Sequence, residues 1–188
     1  VRNKGVDGGA IRWGSATVIV VASTFEENSA GLGGAIMDIH SDPLIVDCLF
    51  LDNYAESQGG AVMSVFYGHP TIEGCFFANN ISDWGGGAIW QQYYCLLEIG
   101  ECTFVDNASP QEGGAIHATY SDFRVVNTFF VENSSCWGGA VYRLNNHVDP
   151  TVLVNCVFIS NDGSWGGAIY DEWTGLNMFV TNLSLIHI

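Results

Sequence analysis

The chain of 188 residues carries 20 acidic side chains against five lysines and arginines, a formal charge of −15. That balance excludes nucleic acid and anionic membrane as partners, because phosphate contacts need Lys and Arg. Hydrophobic residues make up 48% of the chain but occur only in short runs, none near the ~18 residues of a membrane span, and the amino end does not read as a signal peptide.

In chain order the same unit returns. It opens with Asn3 and Gly-Gly-Ala10-Ile, then the apolar run "TVIVVASTF" ending at Phe25, then Asn28 and Gly-Gly-Ala35-Ile. "LIVDCLF" leads to Phe50, Asn53 and Gly-Gly-Ala61-Val, and the next units bring Phe77, Asn80 and Ala88, then Phe104, Asn107 and Ala115. "FRVVNTFF" leads to Phe130, Asn133 and Ala140, and "TVLVNCVF" to Phe158, Asn161 and Ala168. A final Phe179 and Asn182 repeat the Phe-x-x-Asn spacing. The motif alanines step by 25 to 28 residues along the chain. Two motifs holding one period over the whole chain define a solenoid rather than separate domains.

The runs are short and rich in Val, Ile, Phe and Thr, so they predict strands. A coil with two strand-like runs and glycine corners buries its apolar side only by stacking on copies of itself. The prediction is an all-β parallel β-helix of about seven coils, with residues 1–182 forming one array. Five residues ahead of each motif Phe stand Val20, Ile45, Ile72, Ile99, Val125 and Leu153, an aliphatic core column. Two residues ahead stand Ser23, Cys48, Cys75, Cys102, Thr128 and Cys156; Ser and Thr in that series argue for small unpaired core fillers rather than disulfides. Cys95 and Cys136 fall elsewhere in their coils. The Asn side chains should hydrogen-bond from coil to coil and suit a turn, while the glycines allow close approach of neighbouring coils.

The paired Gly-Gly-Ala-Ile/Val and Phe-x-x-Asn motifs resemble the repeats of the polymorphic outer membrane protein family of autotransporter adhesins. More broadly they are similar to right-handed parallel β-helix proteins of the pectin-lyase-like class. The resemblance implies an extracellular or outer cell-surface location and a non-catalytic role in adhesion or surface display. A host or neighbouring-cell surface protein or polysaccharide would be the partner. The alternative it implies is a polysaccharide-binding protein, lyase or hydrolase. Both ends look uncapped, and Leu183 to Ile188, "LSLIHI", resemble a translated sequencing adapter, so they are expected to be a non-native tail.

Three sets of residues are functional candidates. For catalysis, carboxylates beside a basic group are sought. Arg143, Asp171 and Glu172 with His117 on a nearby coil are the available set, against the ordinary reading of paired surface charges. For binding, Trp90, His117, Tyr142 and Tyr170 follow the motif Ile/Val, with Phe66, Tyr93, Tyr120 and Trp173 a few residues on. Trp84, Trp137 and Trp165 precede the glycines. These rings either form an exposed stripe for sugars or a protein or pack beneath loops. For metal, the acidic residues just ahead of the motif Asn are Glu26, Asp52, Asp106 and Glu132, with Asn79 and Ser160 interrupting. They either splay into water or share Ca²⁺, although one carboxylate per coil supplies few of the six to eight oxygens that calcium takes. No other cofactor is expected.

Overall fold

The computed structural model describes residues 2–144, 151–172 and 178–186. Every strand pairing there is parallel and joins one coil to the next, which is the predicted β-helix; no helix occurs among the described residues. Three sheets of seven strands run the length of the solenoid. The alanine sheet starts at Ile11–Gly14, Ile36–Ile39 and Val62–Val65 and ends at Ile169–Asp171. The aliphatic sheet runs from Ile19–Val21 and Leu44–Val46 to Met178–Thr181. The phenylalanine sheet runs from Thr24–Glu26 and Leu49–Leu51 to Val157–Ile159 and Ser184–Ile186. Further strands after most motif Asn residues, such as Ser29–Leu32, Tyr54–Gln58 and Ser134–Trp137, lead to the glycine corner.

Stacking in register turns sequence columns into interior layers. Ile45, Ile72, Val125 and Leu153 are fully buried, as are Cys48, Cys102, Thr128 and Cys156. All six cysteines are free thiols. The motif phenylalanines Phe25, Phe50, Phe77, Phe104, Phe130 and Phe158 stack ring on ring at centroid separations of 4.6 to 5.1 Å, each contact adding about 0.5–1.5 kcal/mol beyond burial.

Behind each Phe the Asn makes the inter-coil bond expected of it. Asn28, Asn53, Asn80, Asn107 and Asn133 each donate from Nδ2 to the Oδ1 of the next Asn, ending at Asn161, at 2.9 or 3.0 Å. The same amide donates to the Phe carbonyl one coil back, and its oxygen also accepts the preceding Asn's backbone N–H, as Asn80 does for Phe50 and Asn53. The buried corner therefore leaves no amide unsatisfied. At the glycine corner, Gly33 has φ 58°, and a Cβ on Gly34 would run into the Gly60 carbonyl of the next coil.

Register corrects the last repeat. Phe179 pairs with Val152 on the aliphatic sheet, and Asn182 donates to Asn155 at 2.6 Å, so neither joins the Phe or Asn columns. Leu185 instead pairs with Phe158, so Ser184–Ile186, within the segment expected as a tail, forms the last strand of the phenylalanine sheet. The alternation Leu183-Ser-Leu-Ile permits this: Leu185 continues the inward column and its neighbours face out.

Candidate functional site

Side chains along a strand alternate between faces, and that alternation separates the catalytic candidates. On the alanine sheet, Trp13, Asp38, Ser64, Gln91, Ala118, Arg143 and Asp171 lie in one register. Trp13 and Ala118 belong to the main core, so this column points inward. Arg143 is fully buried and pairs with Asp171 at 3.1 Å and Asp122 at 3.6 Å. At the other end, Asp38 accepts from Trp13 Nε1 at 2.6 Å and Ser64 Oγ at 2.8 Å, and burial pushes its carboxyl up. Arg143 is thus an interior charge, while Asp171 shares its inward column but is exposed on the last described strand of the sheet. For the buried Arg143–Asp122 pair, desolvation offsets much of the mutual attraction.

The neighbouring column, Met37, Met63, Trp90, His117, Tyr142 and Tyr170, points outward, yet Trp90, His117 and Tyr142 are buried and only Tyr170 is half-buried. The glycine corner is the cause. It folds the short post-Asn strands back over the outer face of the alanine sheet, so Leu32 packs on Met37, Met63 and Trp90 in a second small core. At Gly85 a Cβ would come within 2.6 Å of the Trp90 ring and 2.9 Å of His117 Nδ1. The rings stack beneath this cover, Trp90 on His117 at 3.6 Å and Tyr142 on Tyr170 at 5.8 Å. The expected stripe is therefore absent at this position.

One end of this roofed column carries charge. His117 meets Thr119 through Nε2, and its Nδ1 lies 3.3 Å from Glu112, without hydrogen-bond alignment. Tyr142 donates to Glu172. Burial drives His117 well below its ordinary value; burial and then the charge of Glu172 raise Glu112; burial and the bond to Glu172 raise Tyr142. His117 and Glu172 from the catalytic set thus come together, apart from Arg143 and Asp171. Glu112, placed one residue before its glycine pair, was not distinguished by the repeat.

The tryptophans ahead of the glycines do not form one line. Trp137 pairs with Trp165, in the column of Gln58, Gly85 and Glu112, whereas Trp84 precedes a third glycine and falls one position aside. Trp84 and Trp165 are exposed and Trp137 is half-buried. Trp173 lies outside the described residues.

The exposed aromatic surface lies on the turn after the alanine sheet. His40, Phe66, Tyr93 and Tyr120 stack in one ladder at 5.2, 5.2 and 6.3 Å, and Tyr67 stacks on Tyr94 at 5.3 Å beside it. All six are solvent-exposed. All six also hold left-handed backbone conformations, φ 49–64°, which cost bulky residues about 1–3 kcal/mol each. The signal for Tyr67 and Tyr94 lies in "VFYG" and "QYYC", which put paired rings at equal offsets from Ala61 and Ala88.

The acidic column also shifts by one. Glu26 pairs with Leu51 on the outer face of the phenylalanine sheet. Glu27 is the residue in line with Asp52, Asn79, Asp106, Glu132 and Ser160, all at φ 50–55°, and it binds Arg2 at 2.6 Å. Among the described residues no three His, Cys, Asp or Glu side chains are grouped to hold a metal.

Coil geometry, inter-coil Asn column and glycine corner together define a right-handed parallel β-helix. The chain belongs to this family: the sequence model of the right handed beta helix region matches residues 8–183. No curated protein and no solved structure matches it.

Proposed function

We propose that this chain is a non-catalytic β-helix scaffold for adhesion or display outside the cell, akin to the autotransporter adhesins whose repeats it resembles, and that it binds through the Phe66–Tyr93–Tyr120 and Tyr67–Tyr94 ladders. The observation that carries this reading is the backbone strain. A turn needing left-handed φ is served at no steric cost by glycine, and the other corners use Gly or the smaller or acyclic Ala, Ser, Asn, Asp and Glu; bulky rings at this one turn are held against local preference, as is common at binding sites. Ring faces in the ladders are covered by their neighbours, leaving edges and tyrosine hydroxyls outward. Such a surface suits a flat protein epitope better than sugars, which stack on open ring faces.

The test is binding of the purified chain to panels of immobilised surface proteins and polysaccharides. Tyr93→Ala with Tyr94→Ala is expected to weaken retention roughly tenfold or more, while Trp165→Ala leaves it unchanged. Retention insensitive to the tyrosine pair would overturn the assignment. A second reading, action on a polysaccharide, is favoured by one observation: Glu112, His117, Tyr142 and Glu172 converge on the outer face with perturbed carboxyl and imidazole groups.

A further inference from the structure

The outer face of the phenylalanine sheet is apolar. Its outward positions form two columns in register, one of Thr24, Leu49, Phe76, Thr103, Phe129 and Val157, the other of Glu26, Leu51, Ala78, Val105, Val131 and Ile159. Leu49 and Phe129 are 42% and 48% exposed, and Leu51, Phe76, Val105, Val131, Val157 and Ile159 are half-buried. Seven strands at ~4.8 Å give a strip about 29 Å long.

One long edge of this strip is acidic, and the other carries two acids. One corner column carries Asp47 and Glu101, with Gly74, Asn127 and Asn155 between and beyond them. The other carries Glu27, Asp52, Asp106 and Glu132. All six acids are exposed, and their left-handed conformations place them at the bends where the sheet meets its neighbours. Asp47 and Asp52 lie five residue steps apart along nearly extended chain, so the two rails stand about 16 Å apart. The strip then covers roughly 450 Å², enough to mark an interaction surface on a soluble chain.

We propose that this strip docks a cationic amphipathic helix, whose apolar side lies on the Leu49–Phe76–Phe129 columns and whose flanking Lys and Arg reach the acids of the two rails. Dimensions support it: a helix about 10–12 Å wide fits between the rails, and about 20 residues span the ~29 Å length. Charge selects the occupant. A second copy of this chain would set acidic rail against acidic rail, which repels. An anionic lipid surface is excluded on the same ground. The proposal goes beyond the adhesion reading and uses a different face from the tyrosine ladders.

The probe is a synthetic 20-residue helical peptide of Leu and Lys, with a Leu/Glu peptide of the same pattern as control, titrated by fluorescence anisotropy against the whole chain. Two paired variants report on the two components: Leu49→Thr with Phe129→Thr, and Asp52→Asn with Asp106→Asn. Thr24, Thr103 and Asn79 already occupy these columns, so both pairs should fold, which circular dichroism checks. The expected result is binding of the Leu/Lys peptide alone, weakened roughly tenfold by each pair and unaffected by Tyr93→Ala with Tyr94→Ala. The proposal is overturned by no binding, by binding indifferent to the threonine pair, or by sedimentation showing a dimer that the threonine pair dissolves. A ladder variant that loses surface binding while keeping the peptide would separate this proposal from the adhesion reading.

Discussion

His117 shows how a polar residue survives in this interior. It is almost wholly buried, stacked on Trp90 and tilted against Tyr142, and its pKa is lowered because burial penalises the charged ring. A lowered folded-state pKa means that below the ordinary value, about 6.5, the unfolded chain takes up a proton that the folded chain refuses. Stability should fall as pH drops through 6.5 and keep falling until the folded-state value is reached. Glu112 and Asp38 act in the opposite direction. Their carboxyls are raised, so the folded chain holds protons more tightly, and their contribution declines as pH rises from the ordinary carboxylate value through the raised one. Urea unfolding at pH 5 and pH 7 checks the histidine: the wild type should lose stability at pH 5, and His117→Gln should lose less. Equal losses in both proteins would place the acid sensitivity elsewhere. The burial of His117 was not legible in the sequence, because strand alternation places it on the outer face; only the fold-back at the glycine corner covers it.

At the scale of the element, each coil turns through several corners of different design. At the bend after the phenylalanine sheet, an exposed left-handed residue such as Asn79 is followed by the buried Asn of the inter-coil column. Asn80→Ala would strip partners from the Asn53 amide, the Asn107 oxygen and the Phe50 carbonyl, a loss of about 3 kcal/mol or more when buried polar groups are left unpaired. The adjacent Asn79→Gly keeps the left-handed bend, whose φ is 55°, and should change stability by under ~1 kcal/mol. Denaturant titration of the two single variants makes the comparison; similar losses would mean that the two residues of this bend do not divide the work this way. The Asn, Phe, aliphatic and cysteine columns were all readable from spacing, because each is an inward position with a size or hydrogen-bond requirement that recurs once per coil. Trp84 was misplaced by one position because a third glycine, Gly85, stands between it and the motif pair. Glu26 was misplaced because two consecutive glutamates precede Asn28. Phe179 and Asn182 reproduce the motif spacing by chance in an aliphatic-sheet strand.

For the whole molecule, the motifs specify the inside and leave the outside to vary, so the fold was legible and the surfaces were not. Leu51, Val105 and Val131 look like core residues in the sequence, but only the pairing register shows that they form an open face with acids along its edges. Tyr93 and Tyr94 likewise look like loop residues until the coils are stacked. We propose that the solenoid acts by binding at these exposed faces and not by chemistry at the Glu112–His117–Tyr142–Glu172 cluster. The most direct test incubates the chain with acidic and neutral polysaccharides and measures new reducing ends and unsaturated products. The account predicts no product above a protein-free control; steady product formation that Glu112→Gln or Glu172→Gln abolishes would contradict it.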